Sequence, residues 1–111
     1  MKLDELIAQY PILQSVECGV QCGNGWVNLL DILCGTIEAH LLDRRELKDF
    51  RVDQVKEKFG GLRFYVSGGD EFIDGMISLT ENLSYTICEE CGNPGEVTGK
   101  SWYKVLCREC V

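Results

Sequence analysis

Apolar residues recur at intervals of three and four in three stretches of the chain and alternate in two others. Leu3, Leu6, Ile7 and Tyr10 form one face of a short helix over Lys2 to Tyr10, which Pro11 ends because its ring clashes with the preceding turn. Trp26, Leu29, Leu30, Leu33, Cys34, Ile37 and Leu41 follow the i, i+3, i+4, i+7 pattern and predict the main core helix, ending near Asp43, with Asn24 available as its N-cap. A further long helix follows Gly68-Gly69. Asp70 and Glu71 suit the positive end of its dipole, and Phe72, Ile73, Met76, Ile77, Thr80, Leu83 and Ile87 trace its apolar stripe. Its outward acids lack basic partners at i, i+4, so packing has to hold it. Val16 to Gly25, rich in glycine, reads as a loop.

Phe50 to Gly68 contains Val52, Val55 and Phe59 before Gly60, which also fits a short glycine-capped helix. The strand reading is better. Gly60-Gly61 is a two-residue turn signal, and Leu62 to Val66 alternates with aromatic and β-branched residues. A hairpin folded there sets Phe59 opposite Leu62, Lys58 opposite Arg63, Glu57 opposite Phe64, Lys56 opposite Tyr65 and Val55 opposite Val66. Its core face is then Val55, Phe59, Leu62, Phe64 and Val66, interrupted by Glu57; its other face presents Lys56, Lys58, Arg63 and Tyr65.

Cys88-Glu89-Glu90-Cys91 and Cys107-Arg108-Glu109-Cys110 stand fifteen residues apart, the Cys-x2-Cys pairing of a structural zinc site. Two intervening residues let both sulfurs of one turn point at a common centre, and two such turns complete a tetrahedron. Gly92 permits the positive φ such a turn needs. Asn93-Pro94-Gly95 reads as a type II turn, and Trp102 to Leu106 alternates as a strand, with Trp102 and Tyr103 on opposite faces so that one covers the core. The expected cofactor is one structural Zn2+ held by Cys88, Cys91, Cys107 and Cys110. Disulfides or free thiols are the competing readings. Four thiolates leave no open position for water, so the ion is not a catalyst.

The remaining chemistry is weaker. Cys18, Cys22, Cys34 and His40 could form a second metal site, but Cys34 lies on an apolar stripe where a free thiol packs as a small hydrophobe. His40 is the only histidine, and no nucleophile motif, HExxH or P-loop is present, so no enzymatic activity is expected. The hairpin face of Lys56, Lys58, Arg63 and Tyr65 has the makings of an anion platform. Asp70, Asp74 and Glu81 make an acidic helix face able to imitate phosphate charge for a partner. Each of these faces has a plainer reading as solvated surface.

With 111 residues, 45% hydrophobic and 26% charged, the chain is long enough for one compact unit and too short for a multidomain machine. Eleven basic against eighteen acidic residues give a net charge of −7, which argues against the chain as a whole acting as a DNA binder driven by counterion release. No Lys or Arg lies between Arg63 and Lys100, so one flank is strongly negative. Acids at Asp4 and Glu5 oppose a signal peptide, and no apolar run reaches the length of a membrane span. The odd cysteine count fits a reducing compartment, and the expected location is the cytoplasm.

The strings Glu17-Cys18-Gly19 or Cys22-Gly23-Asn24-Gly25-Trp26, Gln54-Val55-Lys56-Glu57-Lys58-Phe59-Gly60-Gly61-Leu62-Arg63-Phe64-Tyr65, Cys88-x-x-Cys91-Gly92-x-Pro94-Gly95 and Trp102-x-x-x-Leu106-Cys107 resemble those of a widespread set of small, uncharacterised phage, prophage and bacterial proteins. The likeness runs from about residue 11 to residue 110, although this chain carries both Cys18 and Cys22 where the set has a single cysteine. It implies an accessory protein with a zinc ribbon and assigns no catalytic residue. The expected architecture is an α+β fold, two long helices packed on a β-hairpin over 1–87 and a zinc ribbon over 88–111. The expected function is non-enzymatic docking on a protein partner through the acidic helix and the ribbon, where an exposed Trp102 would serve as an anchor, for instance inhibition of a host nucleic-acid-handling defence enzyme such as a CRISPR effector. The alternative is a zinc-ribbon nucleic-acid-binding regulator using the basic hairpin face and the ribbon.

Overall fold

The computed structural model describes residues 1–111. It is a mixed α/β fold with three helices, a three-stranded sheet and a two-stranded sheet. Helix α1 (Leu3–Gln9) is followed by a turn at Pro11–Leu13, strand β1 (Val20–Gln21), a turn at Asn24–Trp26, and helix α2 (Val27–Asp43). Strands β2 (Arg51–Lys58) and β3 (Gly61–Ser67) form the hairpin, and helix α3 (Glu71–Ser84) leads to the ribbon strands β4 (Glu96–Thr98) and β5 (Lys104–Leu106).

Helices form in the three stretches that the apolar spacing marks, but α3 stops at Ser84 and leaves Ile87, placed on its stripe, in a bridge with Pro94. The expected pair of long helices is therefore not found, and the helix ends are built differently from the prediction. Asn24 does not cap α2. Its side-chain oxygen accepts the Leu3 N–H at 2.9 Å, tying the start of α1 to the turn before α2. Asp70 does cap α3, its carboxylate accepting the Ile73 N–H at 3.0 Å. On the α3 stripe Ile73, Ile77 and Thr80 are buried, whereas Phe72 and Leu83 remain largely exposed. The glycine-rich segment is not all loop, because Val20 and Gln21 run parallel to β2 opposite Val55 and Lys56 and make the hairpin a three-stranded sheet in the order β1-β2-β3.

The hairpin turns at Phe59-Gly60, not Gly60-Gly61. Lys58 lies opposite Gly61, Lys56 opposite Arg63 and Val55 opposite Phe64. Phe59 and Gly60 both have positive φ, at 53° and 90°, the backbone that a two-residue turn must adopt to match the twist of its strands. Phe59 thereby leaves the core face and stands 68% exposed at the tip. The register differs from the prediction by two residues, and because strand side chains alternate with period two, the strand residues other than Phe59 keep their predicted faces. A bulge between Val52 and Gln54 lets Val52 and Val55 both point inward although three residues apart.

Sixteen buried residues from α1, α2, the sheet and α3 form one core, with Trp26, Leu6, Leu30, Ile37, Val55 and Leu62 at its centre. Along the free edge of β3, Leu62 N–H donates to the Ser84 hydroxyl at 2.9 Å and Phe64 N–H to the Glu81 carboxylate at 2.9 Å, so α3 covers that edge with acceptors. No helix is long and apolar enough to cross a membrane.

Candidate metal centre and its seat

The sulfurs of Cys88, Cys91, Cys107 and Cys110 all lie within 4.8 Å of one another. A tetrahedral ion with metal–sulfur bonds of about 2.3 Å needs sulfurs about 3.8 Å apart, so the four cysteines are positioned to hold one metal ion. Gly92 has φ 85° and donates its N–H to the Cys88 carbonyl at 2.9 Å, closing the first turn around the sulfurs. Burial opposes the Cys88 thiolate, but the backbone N–H groups of Cys91, Cys107 and Glu90 outweigh it and bring the pKa down to about 6. Contact with the Cys107, Cys88 and Cys91 sulfurs pushes the Cys110 thiol up.

The first cysteine turn is seated on the Gly23-Asn24-Gly25-Trp26 segment. Gly25 N–H donates to the Glu89 carbonyl at 2.7 Å, and Trp26 Nε1–H donates to the Ile87 carbonyl at 2.9 Å. A Cβ on Gly25 would lie 2.1 Å from the Cys88 carbonyl oxygen, so only glycine admits this approach. Glu89, 4% exposed, accepts the Gly23 N–H at 2.9 Å and Lys104 Nζ at 3.2 Å. Lys104 also lies 3.6 Å from Glu57, whose other oxygen accepts the Gly60 N–H at 2.7 Å. Burial pulls the Lys104 pKa down, but Glu89 and Glu57 outweigh it and hold it above the ordinary value. Glu57, the charged residue on the predicted core face, is thus the hairpin's link to the ribbon. Gly95 shows no positive φ, so the predicted type II turn is absent; a Cβ there would stand 2.9 Å from the Cys88 N, which accounts for the glycine.

Cys18, Cys22, Cys34 and His40 are not brought together. Cys34 is buried in the core and burial pushes its thiol up to about 12; the same effect acts on Cys22. His40 Nε2 meets Asp70 Oδ2 at 2.7 Å and its ring stacks on Phe72 at 4.2 Å. The acidic helix face is largely committed inside the molecule: Asp70 serves His40 and the α3 terminus, Glu81 serves β3, and Asp74 alone of the three is exposed without a hydrogen bond.

Trp102 and Tyr103 do not divide between core and surface. Both are exposed, Trp102 by 78%, because β5 begins only at Lys104. With Phe59, Lys58, Glu57 and Ser101 they line a cleft of about 370 Å³ between the hairpin tip and the ribbon. A larger groove of about 590 Å³ runs along α2 beside Phe72; there His40 is paired with Asp70 and Asp31 with the Tyr10 hydroxyl at 2.6 Å, while Thr36 and Asp43 line it without such partners. The smaller cleft is the one lined by three exposed aromatic side chains. Lys56, Lys58, Arg63 and Tyr65 share the face of the sheet turned away from the core, as the alternation predicts. Compared with protein-family models, curated proteins and solved structures, the chain matches none.

Proposed function

We propose that this is a non-enzymatic binding protein of phage or prophage type, in which one zinc ion staples the ribbon to the body and a protein partner docks in the cleft between them. The observation that carries this reading is the trio of Phe59, Trp102 and Tyr103, large side chains left in water around a concave surface. Exposed aromatics of this kind are the usual anchors of protein interfaces. Four thiolates satisfy a tetrahedral ion completely, which supports a structural zinc role. With Asp70 and Glu81 engaged internally, the docking surface moves from the acidic helix to the aromatic cleft, where a host nucleic-acid-handling defence enzyme is the partner class we favour.

The test is capture on immobilised zinc-loaded protein, followed by reconstitution with the purified partner. Trp102→Ala should weaken the complex by about 2 kcal/mol or more, roughly 30-fold, while leaving the melting curve in place. Equal retention of the same proteins by wild type and Trp102→Ala would exclude the cleft as the docking site.

A further inference from the structure

The face of the three-stranded sheet turned away from the core carries Gln54, Lys56 and Lys58 from β2 and Arg63 and Tyr65 from β3, none of them buried. Of the eleven Lys and Arg side chains, only Arg51 and Lys104 pair with a carboxylate. Ion pairs form at His40–Asp70, Arg51–Asp53, Lys104–Glu57 and Lys104–Glu89, and not at Lys56, Lys58 or Arg63. These cations sit beside aromatic groups. Lys56 Nζ lies 6.0 Å from the centre of the Tyr65 ring, and Lys58 Nζ lies 5.8 Å from that of Phe59. Arg63 donates to the Leu62 carbonyl at 2.9 Å and to the Tyr85 hydroxyl at 3.1 Å, which holds its guanidinium in place, and Glu81 attracts it only from beyond ion-pair range.

From this arrangement we propose that the open sheet face binds single-stranded nucleic acid. Three cations without carboxylate partners receive backbone phosphates, while Tyr65 and Phe59 offer flat faces on which unpaired bases stack. An acidic peptide would satisfy the cations and leave the rings without a partner. A duplex would offer phosphates but keep its bases inside its own stack. The strongly negative remainder of the molecule opposes wrapping and confines contact to this one face. The surface adjoins the docking cleft, with which it shares Lys58 and Phe59, so Lys56 and Tyr65 are the residues to vary.

The experiment uses zinc-loaded full-length protein and fluorescence anisotropy of a labelled single strand of about 20 nucleotides, with the matching duplex as comparison, over a salt series beginning near about 50 mM. Single strands should bind more tightly than duplex, with a slope of log affinity against log salt of about −2, as expected for three phosphate contacts. Lys56→Glu should weaken binding about tenfold or more and flatten the slope, and Lys56→Gln serves if the reversal disturbs folding. Tyr65→Ala should weaken it by about 5- to 100-fold with the slope unchanged. The proposal is overturned by absence of binding at low salt, by equal affinity for duplex, or by poly-glutamate displacing the probe as well as an unlabelled strand of equal charge. The last result would assign the face to an acidic protein.

Discussion

The body and the ribbon of this molecule solve the same problem by different means. The body buries sixteen residues in one continuous cluster, whereas the ribbon buries Cys88, Val105 and Cys107 together with the charged Glu89. Three apolar side chains cannot offset the ordering of more than twenty residues, and the four cysteines positioned to hold one metal ion are the cross-link the ribbon has at hand. The two are nonetheless not independent, because the ribbon's first turn fills a concavity made of glycine backbone beside Trp26. The difference teaches that the candidate metal site is tied by hydrogen bonds, past the cysteines, to the start of α2.

The largest effect expected follows from removing the metal. Chelation, or Cys107→Ser, should abolish amide-exchange protection in β4 and β5, a loss on the order of 10 kcal/mol for a site of this type, while β2 and β3 stay protected. Protection at Gly25 and of the Trp26 indole N–H should fall with the ribbon, since their acceptors are Glu89 and Ile87. If β2 and β3 lose protection together with β4 and β5, the contrast between the two regions disappears.

A smaller and more local effect separates two glycines. Gly25→Ala forces a methyl group against the Cys88 and Glu89 carbonyls and should destabilise by about 1–3 kcal/mol, with a parallel drop in metal affinity. Gly75→Ala places its methyl in open space on α3 and should stabilise by roughly 0.5–1 kcal/mol without touching metal binding. Denaturant melts and a competitive chelator titration on the two variants read both quantities. Equal metal affinity in both would show that the glycine seat does not couple to the ion.

The smallest effect concerns acid. The His40 hydrogen bond, then the Ile73 N–H, hold the Asp70 carboxyl below the usual carboxylate range. A lowered folded-state pKa means the stabilisation is fully present above the unfolded value, near about pH 4, and is lost as pH falls through the lower folded value. Melting temperatures of wild type and Asp70→Asn should therefore differ at neutral pH and converge in acid. A difference that stays constant down to the lowest pH would remove this role for Asp70. Acid also strips metal from thiolates, but it does so in both proteins, so their difference reports the body alone.

Much of the body was readable because its signals are periodic. The apolar stripes located α1, α2 and α3, and alternation placed the hairpin faces correctly apart from Phe59 even with the register two residues off, since a two-residue shift returns each strand side chain to its own side. Phe59 at positive φ is what misled the turn assignment, because glycine pairs favour that backbone and a bulky aromatic does not. Strand β1 has two residues and therefore no period to detect. The cysteine spacing disclosed the four metal ligands, since the geometry is local to each pair. The seat was not legible. Glu89 and Gly23 are 66 positions apart, and no spacing rule links a buried glutamate in one loop to a glycine amide in another. The same blindness hid the internal engagements of Asp70 and Glu81, which resemble free surface acids until their partners are placed beside them.

The glycine seat also sets an order of events during synthesis. Trp26 Nε1 and the Gly23 amide take their acceptors from residues 61 and 66 positions further along the chain. At about 5–20 residues per second, a ribosome delivers those acceptors about 3 to 13 s after the seat itself. Until then the nascent turn ahead of α2 keeps its donors in water, and helix and hairpin assemble around an unfinished corner. The four clustered cysteines can come together only after Cys107 and Cys110 have followed, so this corner is the last part of the molecule whose residues are all in place.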